Sequence, residues 1–174
     1  MEGRDRLLGG LTAEAQRRGV RVAIEMHANQ LVYNVPGLLR LREAVGDTIG
    51  GNFDPSHLLW MGADPIAAID ALDGAIYHVH AKDTRIEGRA AVASRLETIP
   101  NERPDERAWN YVAVGTGHPD GVDFWARFVK ALRAADYSRP LSIENEDYTL
   151  GQRESVALAV DTLRRAFTLT ESAR

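Results

Sequence analysis

The sequence predicts an α/β fold in which parallel strands alternate with helices, and three observations support that prediction. Amphipathic helical patterns alternate with short β-branched runs four times along the chain, as in βα units joined by right-handed crossovers. Glycine and proline residues stand where helices are expected to end and begin. Each strand also separates by parity into an apolar face and a small, polar or ionisable face, which indicates a sheet that packs helices on one side.

The first helix and the first βα unit are predicted from their apolar periodicity. A helix is expected from Asp5 to Arg18, because leucines recur there at helical spacing and Gly19 follows. The run Val20 to His27 alternates and is rich in β-branched residues, so it predicts a strand. The run Val35 to Val45 predicts a helix, with Pro36 near its start.

The second and third strands are shorter. The segment "TIGGNFD" predicts a strand that ends at Asp54, and "ADPIAAIDAL" predicts a helix with Asp64 as its N-cap and Pro65 at the first helical position. The segment "GAIYHVHAKD" predicts a third strand, from Ala75 to about His80.

A long polar passage, Asp83 to Asp120, follows the third strand. Connections of this length in a compact domain are usually functional, so we predict a long active-site loop over residues 83–120, with a short helix near Ala90 to Leu96. Beyond it, the periodicity predicts a helix from Phe124 to Ala135, a strand from Leu141 to Glu144 and a helix from Arg153 to Phe167.

Composition narrows the range of functions. The chain has 174 residues, 44% of them hydrophobic and 26% charged, with a net charge of −4, which indicates one globular domain over residues 1–174 without the basic surface of a nucleic-acid binder. It contains no cysteine, so a transition-metal site must use carboxylate and imidazole ligands. No segment resembles a signal peptide or a membrane span. We therefore expect a cytoplasmic protein with neither nucleic acid nor membrane as a partner.

Each predicted strand places one potential metal ligand on its polar face, at or near its C-terminal end. These residues are Glu25, Asp54, His80 and Glu144. The carboxyl ends of strands are where α/β folds gather their chemistry, and three converging carboxylates require a cation or protons. The set therefore predicts one divalent metal ion, with Mn²⁺ as the first choice and Co²⁺, Mg²⁺ or Zn²⁺ as alternatives.

Each of these residues also has a structural interpretation. Asp54 precedes a proline and is by itself typical of a turn or a helix cap, Glu25 could end a strand in water, and His80 could be a core histidine. Their joint placement on four strands favours the metal site.

Four further residues are candidates for contact with a substrate. His57 follows Asp54 at a spacing that could turn it toward the same site, and His27 lies just beyond the first strand. Lys82 and Arg85 follow the third strand and could orient an oxygen-rich substrate, although solvated loop charges are common there.

Five segments of the chain resemble the sugar phosphate isomerase/epimerase family, the xylose-isomerase-like TIM barrels that also include ketose 3-epimerases, inosose dehydratases and endonuclease IV. The matching segments are "IEMH" (24–27), "NFDPSHLLWMGADP" (52–65), "YHVHAKDTR" (77–85), "VGTGHPD" (114–120) and "LSIENED" (141–147). The resemblance implies that the four ligand candidates bind the metal and that His57 and Arg85 contact substrate.

The length of the chain departs from that family. A complete barrel has eight strands and about 250 residues, whereas this sequence supplies four βα units, which by resemblance are the last four. We therefore expect a partial TIM barrel that lacks the N-terminal half. Its open sheet edges lead us to expect either a truncated chain or a homo-oligomer, a dimer, that covers those edges.

For the intact fold we expect a divalent-metal-dependent isomerase or epimerase acting on a ketose, a polyol or a sugar phosphate. Glu25 and Glu144 would exchange the proton through a metal-stabilised enediolate. The alternatives are an inosose-type dehydratase that uses the same site, a metal-binding fragment without activity, and an endonuclease IV-like phosphodiesterase.

Overall fold

The computed structural model describes residues 2–96 and 98–171. Helices and strands alternate along most of this length. In chain order they are α1 (Glu2–Arg17), β1 (Val22–Glu25), α2 (Val35–Val45), β2 (Ile49–Phe53), α3 (Pro55–Met61), α4 (Pro65–Leu72), β3 (Ile76–Ala81), β4 (Asp83–Ile86), α5 (Ala90–Ala93), a 3₁₀ helix (Pro104–Glu106), β5 (Trp109–Val112), α6 (Gly121–Ala134), β6 (Leu141–Ile143) and α7 (Gln152–Glu171). Among the described helices, none has the length and apolar character needed to cross a membrane.

Four parallel strands form one sheet in the order β1-β2-β3-β6. The pairings run Val22 with Ile49, Phe53 with Val79, and Val79 with Leu141. The predicted α/β fold is therefore confirmed, and the sheet corresponds to a partial TIM barrel.

One face of this sheet forms the main core with α2, α4, α6 and α7. Phe53 and Val79 of the sheet pack there with Trp125 and Phe128 of α6, and all four side chains are fully buried. On the opposite face His78 and His80 of β3 are half-buried. The separation of the strands by parity is confirmed for most positions, because buried apolar residues alternate with accessible polar ones.

Two residues of β3 depart from the parity prediction, which placed Tyr77 beside Val79 on the apolar face and Ile76 on the polar face. Ile76 packs against the main core instead. The pairing of β2 with β3 shifts between Gly51 and Asn52, so Tyr77 is an extra residue in a β-bulge. A Cβ atom at Gly50 would overlap the Tyr77 ring, and Gly50 pairs with Ala23, two residues before Glu25. The bulge thus turns Tyr77 onto the face that carries Glu25, and residue 50 must be glycine to accommodate the ring.

Helix α3 was not predicted, and its N-cap is Asp54. The Asp54 side chain accepts a hydrogen bond from the backbone N–H of Ser56, and Pro55 occupies the first helical position. Of the two structural interpretations of Asp-Pro, a turn or a helix cap, the structure shows the cap, and the dipeptide begins a seven-residue helix. The analogous prediction for Asp64 is confirmed, since its carboxylate caps α4 by accepting from Ile66 N–H at 2.8 Å.

The passage 83–120, which was predicted as a loop with one short helix, contains an antiparallel hairpin. Strands β4 and β5 pair Asp83 with Val112 and Ile86 with Trp109. The predicted helix is shorter than expected and forms α5. The hairpin supplies a second, smaller apolar cluster in which Trp109 and Tyr111 pack with Trp60 of α3. The role of this passage as an active-site loop stays a prediction.

Candidate metal centre

The four predicted ligands converge at one point beyond the carboxyl ends of the strands. Glu25 ends β1, Asp54 follows β2, His80 lies near the end of β3, and Glu144 follows β6. One ligand atom from each residue lies within 4.8 Å of all the others. Four strands therefore deliver one potential ligand each, as the parity of the sequence predicts.

His80 is the centre of the group. Its Nδ1 lies 2.9 Å from Glu25 Oε1 and 3.1 Å from Glu144 Oε2. These three side chains are half-exposed, so a substrate could reach them from the open face of the sheet. Asp54 completes the group, and its side chain is fully buried.

The two oxygens of Asp54 have different surroundings. Oδ1 accepts the Ser56 N–H at 2.9 Å and caps α3. Oδ2 is buried, and no donor among the described residues hydrogen-bonds to it, although Lys82 Nζ lies 3.0 Å away at an unfavourable angle. A buried carboxylate oxygen without a donor carries a large desolvation cost. Its position next to three other potential ligands therefore fits a cation.

The ammonium group of Lys82 stands among the same carboxylates. Lys82 Nζ donates to Glu144 Oε2 at 2.7 Å and to Glu146 Oε2 at 2.9 Å. Burial by itself lowers the pKa of Lys82, but Asp54, Glu144 and Glu146 outweigh burial and raise that pKa above its usual range. Lys82, predicted as a substrate contact, is thus a permanent cation that borders the ligand cluster.

Burial and like charge act together on Glu25. Burial raises the pKa of its carboxyl group, and the neighbouring Asp54 and Glu144 raise it further. A divalent cation would remove that repulsion. Three carboxylates and one imidazole are also a donor set that Mn²⁺, Co²⁺, Mg²⁺ or Zn²⁺ accepts, so the residues present fit a divalent metal.

Asn52 links two of the candidate ligands and was not predicted as a site residue. Its Nδ2 lies 3.3 Å from Glu25 Oε1 and 3.3 Å from the ring nitrogens of His80. It stands on β2 two residues before Asp54, and therefore on the same face. The parity that identified Asp54 could also have identified Asn52.

His57 lies one turn into α3 and faces the cluster. Its side chain is 1% exposed, and Nε2 lies 3.5 Å from Asp54 Oδ2 and 3.9 Å from Glu25 Oε2 without a hydrogen bond to any described residue. Burial, with smaller contributions from Lys82 and His27, lowers the pKa of His57 to about 3. The structure thus brings His57 to the site as a neutral imidazole.

The second nitrogen of His57 meets Tyr111, which the sequence analysis missed. Tyr111 Oη lies 2.9 Å from His57 Nδ1. Burial raises the pKa of Tyr111 above its usual range, so the hydroxyl keeps its proton. Tyr111 lies on β5, and without a predicted hairpin there was no signal to place it near the site.

The other two predicted substrate contacts differ in position. The ring of His27 lies against that of His57, with 4.2 Å between the ring centroids, so it borders the site. Arg85 pairs across the hairpin with Asn110 and binds Glu87 Oε1 through Nε at 2.8 Å. Among the described residues, its contacts lead away from the four ligands.

Asp83 directly follows Lys82 and is a structural anchor rather than a ligand. Its carboxylate accepts five N–H groups, those of Thr84, Gly115, Gly117, His118 and the Trp125 indole, at 2.8 to 3.3 Å. Burial raises the pKa of Asp83, and these hydrogen bonds oppose that shift. A Cβ atom at Gly117 would overlap the carboxylate, so glycine is required there. Asp83 thereby ties the segment "GTGH" (115–118) to the end of β3.

Comparisons with known proteins agree with the fold. A family model described as xylose isomerase-like TIM barrel matches residues 6–166. The protein YfiH of Bacillus subtilis (strain 168) is 45% identical over 157 residues, which are 89% of this chain and 50% of YfiH.

Solved structures give the same result. A xylose isomerase domain protein from Planctomyces limnophilus superposes with a TM-score of 0.69 at 25% identity, over 97% of this chain and 54% of that one. The IolI protein with a bound zinc atom has a TM-score of 0.67 at 22% identity, over 95% of this chain and 55% of its own. An L-ribulose 3-epimerase has a TM-score of 0.61 at 22% identity, over 98% and 54%. The last two show a shared fold alone. The chain spans about half the length of each of these proteins.

Proposed function

The chain belongs to the xylose isomerase-like TIM barrel family. We propose that it functions as a divalent-metal-dependent isomerase or epimerase that acts on a ketose, a polyol or a sugar phosphate. The convergence of Glu25, Asp54, His80 and Glu144 within 4.8 Å is the observation that carries the proposal. The family's sugar isomerases and epimerases support the reaction class.

Glu25, Asp54, His80 and Glu144 would hold the metal. When bound there, a divalent ion supplies Lewis-acid chemistry, because it stabilises negative charge on substrate oxygens and so makes a neighbouring C–H group more acidic. Mn²⁺ is our first choice for these ligands. The zinc in IolI supports Zn²⁺ as an alternative, with Co²⁺ and Mg²⁺ as the others.

Glu25 and Glu144 are the proposed catalytic pair. They follow the two outer strands of the sheet, β1 and β6, so they approach the cluster from opposite sides. One carboxylate would remove the proton from carbon and the other would return a proton, which gives an enediolate between two sugar isomers. Removal and return at one carbon gives epimerisation, whereas return at the adjacent carbon gives isomerisation.

The substrate contacts of the proposal are His57, His27, Lys82 and Arg85. His57 Nε2 and Lys82 Nζ both lie beside Asp54 Oδ2, where they could orient substrate oxygens next to the metal. Arg85 would need to leave Glu87 to take part. The passage 83–120 would supply the upper wall of the site, since its hairpin carries Tyr111.

The proposal includes a small-molecule partner, a cytoplasmic location and no nucleic-acid partner. The negative net charge supports the last of these. We also propose that the protein forms a homo-oligomer, a dimer, in which a second copy covers the open edges of β1 and β6. Light scattering of the purified chain tests the dimer, and a folded monomer contradicts it.

A dehydratase of the inosose type is the second candidate, because the same enediolate can expel a neighbouring hydroxyl group instead of taking up a proton. Phosphodiester cleavage of the endonuclease IV type favours several clustered metals and a basic groove, whereas a single ligand cluster is found among the described residues. The third alternative is a metal-binding fragment without activity.

The test combines metal analysis with isotope exchange. We expect purified wild-type protein to bind one Mn²⁺ and Glu144→Gln to bind it far more weakly, while Glu146→Gln, a carboxylate outside the ligand set, keeps most of the affinity. Ketoses and inososes incubated with the protein in D₂O should acquire deuterium at carbon.

Each outcome separates one alternative. Wild-type protein that binds no divalent metal contradicts the site assignment. Metal binding without exchange on any substrate favours the inert fragment, and loss of water from an inosose identifies the dehydratase.

A further inference from the structure

The hairpin β4–β5 brings Tyr111 to the metal centre, and its position there is firmly held. Tyr111 pairs with Thr84 across the hairpin, and Thr84 Oγ1 donates to Ser56 O on α3 at 2.9 Å. This bond ties the hairpin to the helix that carries His57. The two residues that meet, Tyr111 and His57, therefore belong to elements that are fixed to each other.

Aromatic packing restrains Tyr111 further. The Trp109 ring meets it edge-on at a centroid distance of 5.0 Å, and Trp109 stacks on Trp60 with 4.6 Å between centroids and a 5° angle between planes. Lys82 Nζ lies 4.6 Å from the centroid of the Tyr111 ring. With these contacts, the tyrosine ring has little freedom to rotate its hydroxyl away from His57.

The environment of His57 distinguishes its two tautomers. Carboxylate oxygens of Asp54 and Glu25 lie 3.5 and 3.9 Å from Nε2. An unprotonated Nε2 would direct its lone pair at two anions, whereas an N–H group at Nε2 is attracted to them. With the hydrogen on Nε2, Nδ1 is the acceptor, and the Tyr111 hydroxyl at 2.9 Å is its donor.

We propose that Tyr111 is a positioning residue that holds His57 as the Nε2–H tautomer and aims this N–H group at a substrate oxygen beside the metal. His57 Nε2 is buried and has no hydrogen-bond partner among the described residues, which leaves it free to donate to a ligand. In this arrangement His57 acts as a neutral hydrogen-bond donor. The role toward substrate rests on the proposed function, but the tautomer does not.

The opposite arrangement is disfavoured on the same distances. If Nδ1 carried the hydrogen, it would donate to the Tyr111 oxygen, and the tyrosine O–H would need another acceptor in a buried, aromatic surrounding. Tyr111 would then only pack, and its hydroxyl could be removed without effect on His57.

The proposal is tested by long-range ¹H–¹⁵N correlation spectra of metal-free protein with labelled histidine. The chain has five histidines, and the His57→Gln variant assigns the His57 signals by their absence. We expect wild-type His57 to show one protonated nitrogen, Nε2, and an unprotonated Nδ1 near neutral pH. In Tyr111→Phe, Nδ1 loses its donor, so we expect the Nδ1 signal to move and a population protonated at Nδ1 to appear beside the Nε2–H form that Asp54 and Glu25 still favour.

Tyr137→Phe is the matched control, because Tyr137 is equally buried and its hydroxyl donates to Pro140 O at 2.8 Å. We expect the control to keep the wild-type His57 signals. Mn²⁺ affinity should be unchanged in both variants, since neither hydroxyl contacts a ligand.

Two results would overturn the proposal: a wild-type His57 protonated at Nδ1, or His57 ring-nitrogen signals in Tyr111→Phe that are identical to those of wild type. Should Tyr111→Phe fail to fold, wild-type protein made with 3-fluorotyrosine replaces it, because the fluorinated phenol is a stronger donor. The Nδ1 signal of His57 must then move toward that of a protonated nitrogen, and an unmoved signal also overturns the proposal. All these readouts are independent of activity, so a failure of the proposed function would be recognised separately by the absence of exchange.

Discussion

Asp54 and Asp83 are two fully buried aspartates whose surroundings are opposite; Asp54 follows β2, and Asp83 begins β4 just beyond the end of β3. Five N–H groups share the two oxygens of Asp83. Asp54 uses one oxygen as a helix cap and directs the other, without a hydrogen-bond donor, at three more potential ligands. A satisfied carboxylate stabilises the fold, whereas an unsatisfied one beside other carboxylates is available to a cation.

The largest expected effect on stability is at Asp83. In Asp83→Asn the negative charge shared by five donors is lost, and the new NH₂ group faces N–H groups instead of acceptors. We expect the free energy of unfolding to fall by about 3–5 kcal/mol, measured by urea denaturation. Asp120→Asn is the control, since Asp120 pairs with Arg127 at the surface and its substitution should leave the free energy of unfolding nearly unchanged. Equal losses in the two variants would contradict the anchoring role of Asp83.

The corresponding change at Asp54 should separate stability from metal binding. Asn is also a good N-cap, so we expect metal-free Asp54→Asn to unfold within about 1 kcal/mol of wild type. Its affinity for Mn²⁺ should fall by more than about 100-fold, because loss of a residue that only supports a ligand already costs up to that much and Asp54 is itself a proposed ligand. Isothermal titration calorimetry measures the Mn²⁺ affinity. An Asp54→Asn protein as unstable as Asp83→Asn would remove the distinction between the two aspartates.

A smaller effect is expected at Asn52, which contacts Glu25 and His80 without being a ligand candidate. Asn52→Ala leaves both side chains without their shared neighbour, and we expect Mn²⁺ affinity to fall by about 10–100-fold. Asn110→Ala is the matched control, because the Asn110 amide binds Glu87 and Pro104 instead. Unchanged affinity in Asn52→Ala would show that the ligands need no such support.

The smallest effect concerns pH and His57. Folded His57 takes up a proton only near pH 3, whereas an unfolded histidine does so near pH 6.5. Between these values the unfolded chain binds more protons, so the free energy of unfolding should decrease as the pH falls below 6.5, by up to about 1.4 kcal/mol per pH unit. Denaturation of metal-free wild type and His57→Gln from pH 7 to 5 isolates this contribution. If the free energy of unfolding changed with pH in the same way in both proteins, the lowered pKa of His57 would be contradicted.

Local patterns were sufficient for most of the sheet and for the convergence of the four candidate ligands. The bounds of α2 and the cap at Asp64 depend on neighbouring residues, and the structure confirms them. The predicted apolar residues of β1 and β2 also pack in or against the main core: Val22, Ile24, Ile49 and Phe53. The convergence of Glu25, Asp54, His80 and Glu144 follows from strand parity, because parallel strands end at the same edge of the sheet. The substrate roles of His57, His27, Lys82 and Arg85 stay predictions.

Non-local pairing was beyond these patterns. The hairpin β4–β5 joins Asp83 to Val112 across the intervening passage, and the bulge at Tyr77 depends on how β3 meets β2. Neither leaves a periodic signature in its own segment. The roles of Tyr111, Glu146 and the Asp83 carboxylate depend on such contacts, and so they were missed. Asn52 differs from them, because it lies on the predicted polar face of β2 and strand parity could have identified it.

The sequence by itself determined the α/β class, the positions of four parallel strands and the one polar face on which the potential ligands lie, because helix and strand periodicity are local properties of the chain. Only the tertiary structure decided which buried polar atoms find partners. Asp83 is saturated and Asp54 Oδ2 is not, Lys82 joins the carboxylates, and Tyr111 meets His57. Those outcomes depend on distances between segments that are far apart in sequence. These distances are set only when the whole chain packs and its buried polar atoms form hydrogen bonds.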